Sequence, residues 1–580
     1  MKTTRYLGSY SLDIKLPVDG LKFRSNLGLD ARTVQDYEFW SAKTSNRGMG
    51  TSYAKNAVDK YTMFTLENML FYDKTFNDKH TLGVTLLQSI QEDKRESVNV
   101  AMENLPADNL KYYDLGSGLV TNTIGSAMVK WNMASFMGRI NYNYLGRYLL
   151  TVSARYDGSS RLADGHKWVL FPSAALAWRI NEESFMSSTS GWLDNLKLRL
   201  GFGKTGNSAV DPYQTKGTLS LIRYPFDNGG TPTIGYAPNA MANSLLTWET
   251  TDQWNLGIDF GVLRGRINGT IDLYMQNTHD LLLKRQLPVV SGFPDVLSNV
   301  GKTRNKGIEV SINSMNINSK DFQWTTDLML SSNKEEIVEL YNGKNDDIGS
   351  KWFIGQPVNV HYDYRKVGIW QNTESDLAEM AKFAANGTEF APGDIKIQDV
   401  NGDYKITDAD KQILGNPRPK LIASMVNTFN YKGFDLSVFL YASFGAMLYN
   451  DIYAVEHCGR NGGVKVDYWT PNNPTNAYPR PSIDEERPIY ITSTYYEKAD
   501  FLRVKTMTLG YTLPKTLTNK FLVEKLRVYF TAQNPFIFTN YTGIDPEAAK
   551  VNSAGNPETN GSGFGTPSVS SWIFGINLTL

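Results

Sequence analysis

The sequence is balanced in charge, with 59 Lys and Arg residues against 59 Asp and Glu residues in 580 positions. This balance excludes the strongly basic surface of a nucleic-acid-binding protein. The single cysteine, Cys458, excludes an intramolecular disulfide and a zinc site built from cysteines. Aromatic residues reach 12% of the chain, yet no run of 18 apolar residues occurs, so the sequence predicts no transmembrane helix.

Apolar and polar residues alternate in long segments along the whole chain. Residues 131–144, for example, place Phe136 and Ile140 on one face and Arg139 and Asn141 on the other. Alternation with a period of two predicts strands that have one apolar and one polar face. The same pattern predicts further strands at about residues 8–16, 148–157, 254–260, 267–275, 526–530 and 568–580.

Three features favour a membrane barrel over a soluble sandwich. The segments reach about ten residues or more, whereas soluble strands average about five or six. The connections alternate between short and long, as periplasmic turns and extracellular loops do in outer-membrane barrels. Aromatic residues also cluster at strand ends on the apolar face, where interfacial girdles lie: Tyr142, Tyr144, Tyr148, Tyr156, Trp178, Trp254 and Tyr431.

The connections fall into two predicted sets. Short turns are expected at residues 17–20, 76–78, 145–146, 263–265, 318–320 and 432–433. Long excursions are expected at about 32–60, 93–130, 208–247, 282–303, 335–420, 446–500 and 535–567.

The number of predicted strands bears on whether the barrel can close. With the short turns assigned to the periplasm, the pattern gives about 17 strands over residues 1–580, whereas a bacterial barrel has an even number. The first ten residues contain no apolar segment typical of a signal peptide. We therefore expect an all-β fold, an antiparallel transmembrane β-barrel that is truncated at its N-terminus.

Motifs throughout the chain resemble the SusC/RagA-type TonB-dependent outer-membrane transporters. The most distinctive are GDIK at 393–396 and DVNGD at 399–403, followed by ILGNP at 413–417 and YKGFDL at 431–436. Others are LLTVSARYDGSS at 149–160, FPS at 171–173, WRI at 178–180, LKLR at 196–199, GKTGN at 203–207, NVG at 299–301 and NKGIE at 305–309.

The resemblance implies a 22-strand barrel with an internal plug, located in the cell outer membrane and importing oligosaccharides or peptides. It also implies a SusD-like surface lipoprotein as partner and energy supplied by the TonB complex. The plug, the TonB box and about five strands have no counterpart in these 580 residues, and the chain closes on Leu580 rather than an aromatic residue. The resemblance therefore implies a chain that does not transport on its own.

A candidate metal site lies at residues 399–410, within the long excursion at 335–420. Asp399, Asn401, Asp403, the Lys405 carbonyl and Asp410 occupy positions 1, 3, 5, 7 and 12 of an EF-hand-like loop. This spacing can wrap oxygen ligands around Ca²⁺ or Mg²⁺, for which we expect a structural role. Tyr404 replaces the usual Gly at position 6 and must adopt that residue's turn. The alternative is an ordinary solvated Asn-Gly-Asp turn.

Aromatic residues in the long excursions are candidates for ligand contact, because sugars stack on aromatic rings while polar groups bind their hydroxyls. The alternative is that these rings pack between loops or against the partner lipoprotein. The candidates are Trp352, Tyr362, Tyr364, Trp370, Tyr453, Tyr468 and Trp469.

The leading interpretation is a transporter and not an enzyme. No nucleophile elbow is present, and GKT at 203–205 and at 301–303 lacks the earlier Gly of a phosphate-binding loop. A secreted calcium-dependent glycan-binding protein or hydrolase on a β-rich scaffold is the second interpretation. It accounts for the aromatic loops and the 399–410 loop but not for the long strands. A simple porin is less consistent with these loop motifs.

Overall fold

The computed structural model describes residues 1–48, 50–226, 233–450, 465–482, 488–521, 523–547 and 568–579. Two α-helices lie in this part of the chain, α1 (Glu374–Ala385) and α2 (Lys515–Thr518), and neither is long and apolar enough to cross a membrane. The strands are β1 (Lys2–Lys15), β2 (Leu21–Trp40), β3 (Tyr53–Phe76), β4 (His80–Glu103), β5 (Val120–Tyr144), β6 (Tyr148–Ser159), β7 (Trp168–Arg179), β8 (Leu193–Asn207), β9 (Thr218–Tyr224), β10 (Thr233–Ala240), β11 (Glu249–Val262), β12 (Ile267–His279), β13 (Leu282–Gln286), β14 (Asp295–Asn299), β15 (Lys302–Asn318), β16 (Phe322–Glu339), β17 (His361–Asp363), β18 (Lys366–Ile369), β19 (Ile395–Ile397), β20 (Gln412–Gly415), β21 (Leu421–Tyr431), β22 (Phe434–Phe444), β23 (Met447–Tyr449), β24 (Tyr496–Lys498), β25 (Phe501–Thr512), β26 (Lys525–Thr539) and β27 (Ser571–Thr579).

Seventeen strands of the described chain form one antiparallel sheet, which confirms the predicted strand count. The other strands form small two-stranded sheets within the long connections. The sheet strands are β1 to β8, β11, β12, β15, β16, β21, β22 and β25 to β27.

All six predicted short turns are confirmed. The turn after β5, for example, places Leu145 and Gly146 in the left-handed region, at φ of 57° and 70°. The turn after β21 does the same with Lys432 and Gly433, at 46° and 90°. Two successive residues with positive φ match the right-handed twist of the strands that they join.

The chain divides into two compact units, of which the first comprises residues 1–183, 197–256 and 276–302. In this unit β1 to β8 pair in sequence as an antiparallel meander. The strands extend much further than the ten residues expected, since β3 and β4 have 24 residues each and β5 has 25. The excursions predicted at 32–60 and 93–130 are therefore wrong in extent, because most of those residues are paired.

The apolar face of the first unit is exposed. Phe136, Val152 and Leu176 are 52%, 44% and 54% exposed, although they lie in the middle of paired strands. Tyr148 and Trp178 stack near the short turns, with ring centroids 6.4 Å apart, and Tyr156 and Trp168 stack at the far end, 4.9 Å apart. The eight residue-to-residue steps from Tyr148 to Tyr156 span about 26 Å of strand, or about 20 Å of height at a tilt of about 40°. This distance is close to the roughly 25 Å apolar band of an outer-membrane barrel.

The second unit comprises residues 184–196, 257–275 and 303–580. Here β16, β21, β22, β25, β26 and β27 pair in that order. The apolar face is exposed again, since Trp572, Phe574 and Ile576 of β27 are 59–72% exposed. Each unit therefore carries an apolar surface where a soluble sandwich would have its core.

Candidate functional site

The long connections of the second unit form a folded module of their own, which we call the outer-loop module and define as residues 340–420, 465–482 and 488–500. Its small two-stranded sheets pair β17 with β20 and β18 with β19, although the paired residues Asp363 and Gln412 lie 49 positions apart in sequence, and Ile369 and Ile395 lie 26 apart. Two clusters of buried apolar side chains fill the module. They contain Ile369, Ile395, Ile397, Trp469, Ile491 and Tyr495 in one and Trp370, Met380 and Phe383 in the other.

Helix α1 forms because its sequence satisfies its own N-terminus. The Thr373 side chain accepts a hydrogen bond from the Asp376 amide, and Glu374 and Asp376 place negative charge in the first turn. Its buried residues Met380 and Phe383 face Trp370, with the Phe383 and Trp370 rings meeting edge to face at 5.9 Å. The helix thereby covers one side of the Trp370 ring.

Lys396 covers Trp370 as well, with its ammonium 4.0 Å from the ring centroid. The same ammonium lies 3.1 Å from Asp376 and 2.5 Å from Glu379 of α1. Burial alone would lower the pKa of Lys396, but its bonds to the two carboxylates raise it overall, so the side chain stays charged. Lys396 thus joins β19 to α1.

The GDIK motif joins the two halves of the module. Gly393 donates its amide to the Trp370 carbonyl at 2.7 Å and accepts the Arg480 amide at 2.8 Å. Gly393 has φ of 93°, and a Cβ there would lie 2.5 Å from Cε3 of Trp469, so only glycine fits. Asp394 accepts a hydrogen bond from Nε of Arg480 at 2.8 Å.

A cleft of about 540 Å³ lies between residues 387–395 on one side and residues 479–482 and 488–490 on the other. Phe390 and Tyr490 contribute aromatic rings, while Glu389, Asp394 and Arg480 contribute charged groups. Its volume and its mixed lining are those of a small-molecule site. Sequence reasoning missed these residues as site candidates, although the Gly-Asp pair at 393–394 was a signal.

The pKa values of two tyrosines here keep their hydroxyls protonated. Burial and the nearby charge of Asp408 raise the pKa of Tyr364 to about 12. Burial and Asp410 raise the pKa of Tyr490. The two rings meet edge to face at 5.0 Å. Because both pKa values are raised, both hydroxyls remain neutral hydrogen-bond donors around neutral pH.

Two of the predicted ligand residues are buried inside the module. Trp370 is 1% exposed and Trp469 is 6% exposed, and the indole of Trp469 donates to Oε1 of Gln371 at 2.8 Å. For these two residues the structure favours the alternative, because each ring packs between loops that are distant in sequence, and a ligand role stays a prediction.

The other predicted ligand residues are distributed over several places. Trp352, Tyr362 and Tyr364 are half-buried, with the Tyr362 ring 4.8 Å from the buried ring of Phe353. Tyr468 is 46% exposed and lies near the start of the second segment of the module. Tyr453 lies outside the described residues. A ligand role for these residues stays a prediction.

The 399–410 loop adopts the turns that an EF-hand-like loop needs. Tyr404 has φ of 58°, so it takes the left-handed conformation expected at the position of the missing Gly. Asp399 accepts the amides of Gly402 and Tyr404 at 2.7 and 2.8 Å, and Asp403 accepts the amide of Lys405 at 2.8 Å. Asn401 donates from Nδ2 to Asp403 at 3.0 Å.

Asp410, at position 12 of the loop, is fully buried and accepts the amides of Val400 and Thr407 at 2.9 and 2.8 Å. Thr407 and Asp410 form a capping box at the start of a short 3₁₀ turn. Within the described chain, no three His, Cys, Asp or Glu side chains are grouped as metal ligands. The donor types suit a hard cation, but their oxygens also satisfy backbone amides, so the metal stays a prediction.

Known proteins resemble this chain in both sequence and fold. The family model described as "TonB dependent receptor-like, beta-barrel" matches residues 2–534. TonB-dependent receptor P3 of Formosa agariphila is 32% identical over 581 residues, which cover 97% of this chain and 56% of that protein. TonB-dependent receptor SusC of Bacteroides thetaiotaomicron is 35% identical over 434 residues, covering 72% of this chain and 41% of that protein.

Solved structures share the fold at lower sequence identity. The RagAB peptide transporter matches with a TM-score of 0.84 and 21% identity, over 99% of this chain and 62% of that one. The chain spans 41–59% of the length of the curated relatives that it matches. The family match over nearly the whole chain shows that the protein belongs to the TonB-dependent receptor-like β-barrel family of the outer membrane.

Proposed function

We propose that this chain is the barrel part of an outer-membrane importer of oligosaccharides or peptides that works with a SusD-like lipoprotein. The observation that carries the proposal is the exposed apolar face of the sheet, backed by polar side chains on the opposite face. Such a surface is stable in lipid and would aggregate in water. In this proposal, a plug and a TonB box of the full-length importer couple import to TonB.

The cleft of the outer-loop module is the proposed place of first ligand contact. Phe390 and Tyr490 offer ring faces for a sugar or an aromatic side chain, and Arg480 and Glu389 offer charged hydrogen-bonding groups. The rigid supports of the cleft favour this role, since Gly393 and Asp394 hold its two walls together. The RagAB structure, described as a peptide transporter, has the same fold and is compatible with a peptide ligand.

The 399–410 loop is proposed to bind Ca²⁺ or Mg²⁺ as a structural ion. Asp399, Asn401, Asp403, Asp410 and the Lys405 carbonyl would hold the ion through oxygen atoms, which hard cations require. The ion would fasten the loop, and no chemical step is assigned to it.

The secreted alternative needs the apolar face to be buried in a soluble core. Leu176 and Phe574 are 54% and 72% exposed instead, and the family is one of the outer membrane. We therefore retain the transporter and propose no enzymatic activity.

The experiment compares uptake by cells that carry the full-length gene as the parent or as one of two single-residue variants. Ile489 lines the cleft and is 60% exposed, while Ile348 is 61% exposed and lies in the same module outside the cleft. Ile489→Glu is expected to reduce uptake of labelled oligosaccharide or peptide at least tenfold, and Ile348→Glu is expected to leave it unchanged. Equal uptake by both variants and the parent would contradict the assignment of the cleft.

A further inference from the structure

A second cavity, of about 490 Å³, lies in the first unit and shares no residue with the outer-loop module. It is formed by residues 128–132 of β5, the 160–167 loop after β6, and residues 212–216 before β9. Lys130, Lys167 and Lys216 line it against a single acid, Asp164, and Trp131 and Tyr213 add aromatic rings.

Two of the lysines are already paired. The ammonium of Lys130 lies 2.9 Å from Glu92, and that of Lys167 lies 2.5 Å from Asp164. Lys216 is exposed, and among the described residues its ammonium makes no hydrogen bond or ion pair. One lysine charge at the cavity is therefore uncompensated by a direct contact.

Arg161 adds a second cation, beside the cavity lining. It lies between Ser160 and Leu162, which both line the cavity, and its guanidinium is 3.9 Å from the centroid of the Trp131 ring. Its Nε is buried without a hydrogen-bond partner, and within the described chain its guanidinium forms no ion pair. Burial lowers the pKa of Arg161, and only the more distant charges of Asp93 and Asp211 oppose this. A half-buried guanidinium that is held only by a ring and by distant carboxylates would be stabilised further by an anion that accepts its N–H groups.

Tyr213 lines the same cavity as Lys216 and has a strained backbone conformation. Its φ is 72°, which is rare for a bulky residue, and its hydroxyl accepts the amide of Lys130 at 3.2 Å. The ring is 48% exposed and lines the cavity. An exposed ring that shares a cavity with the unpaired Lys216 suits a ligand that has both an apolar C–H face and a negative charge.

We propose that this cavity binds a sugar that carries a carboxylate, sulfate or phosphate group. The anionic group would pair with Arg161 and Lys216, and the sugar ring would pack on Tyr213. This inference rests on the proposed importer function and narrows its ligand to anionic saccharides, either free in solution or in the headgroup of an outer-leaflet glycolipid. Binding can fail here while neutral ligands are still imported, so the two proposals fail separately.

The test is calorimetric titration of the full 580-residue chain in detergent with trigalacturonate, with neutral maltotriose in parallel and lipid A in a third arm. Trigalacturonate is expected to bind, more weakly at higher salt, and maltotriose is expected to bind at least tenfold more weakly. Arg161→Gln is expected to weaken binding about tenfold or more, because it removes a charge-assisted hydrogen-bond donor. Binding of lipid A but not trigalacturonate would identify the glycolipid as the source.

Two further variants guard against a folding effect. Arg32→Gln removes an arginine that lies over the Tyr61 ring at 4.3 Å, far from the cavity in sequence, and is expected to leave binding unchanged. Lys216→Gln changes an exposed side chain and is expected to weaken binding several-fold without affecting the fold. Equal binding of maltotriose, unchanged binding by both Arg161→Gln and Lys216→Gln, or no binding of either anionic probe would overturn the proposal.

Discussion

Gly393 offers a sharp test of how the outer-loop module is held together. Gly393→Ala must place a side chain at φ of 93° and 2.5 Å from Cε3 of Trp469. The backbone conformation costs about 1–2 kcal/mol for a residue with a Cβ, and the overpacking costs about 1–3 kcal/mol. Together these costs lower the free energy of local opening in this part of the module by about 2–5 kcal/mol.

A matched control separates the two terms. Gly387 has φ of 88°, and a Cβ there would meet nothing within 4 Å. Gly387→Ala should therefore cost only the backbone term of about 1–2 kcal/mol. Both glycines lie in the same module, six residues apart, so the comparison isolates the contact with Trp469.

Amide hydrogen exchange reads these costs directly, because local opening sets the exchange rate. The amides of Trp370 and Arg480, which bond to Asp394 and Gly393, are the reporters. Gly393→Ala should raise their exchange rates by about 30-fold to a few thousand-fold, and Gly387→Ala should raise them by about 5- to 30-fold. Equal effects of the two substitutions would refute the packing argument, and no effect of Gly393→Ala would refute the joining role of the GDIK motif.

Two other predictions concern the same module. Asp399→Asn combined with Asp403→Asn should abolish Ca²⁺ binding by calorimetry, with the parent binding one ion; a parent that takes up no Ca²⁺ or Mg²⁺ would refute the metal proposal. Burial lowers the pKa of Lys366 from 10.5 to about 8, so the folded state carries a cost that is fully present below about pH 8 and vanishes above about pH 10.5. The difference between these two pKa values corresponds to at most about 3.4 kcal/mol. Partial solvent exposure and the lost hydrogen bond to the Ala477 carbonyl both reduce this figure. Lys366→Met should therefore stabilise the module by about 1–2 kcal/mol at pH 7. The gain should disappear near pH 10.5, and a gain that persists there would show that burial of charge is not its cause.

Local chemistry made the sheet and its short turns predictable from sequence. Alternation along each strand and residue pairs such as Leu145-Gly146 act within a few positions, so they can be recognised without the fold. The length of β4 and β5 could not be recognised in the same way, because their outer parts are polar. Pairing across strands, as between Lys55 and Asp36 at 2.8 Å, keeps such polar segments extended.

The interior of the outer-loop module was beyond sequence reasoning for a different reason. From the sequence alone, the buried rings of Trp370 and Trp469 cannot be distinguished from exposed rings on which a sugar could stack. Their burial depends on contacts across about a hundred residues, such as the one between Trp469 and Gln371. The left-handed turn at Tyr404 could be anticipated, because it follows from a known loop pattern within twelve positions.

The central claim is that the apolar face of the sheet lies against lipid and the polar face against water. Val152 and Ser153 are neighbours in β6 on opposite faces, and Val152 is 44% exposed. Spin labels attached at Val152→Cys and at Ser153→Cys, each in a Cys458→Ser background, can be compared in reconstituted membranes by their accessibility to oxygen and to a water-soluble nickel complex. The account predicts that the label at 152 meets oxygen and excludes nickel, and that the label at 153 does the reverse. Nickel access at both positions would contradict it.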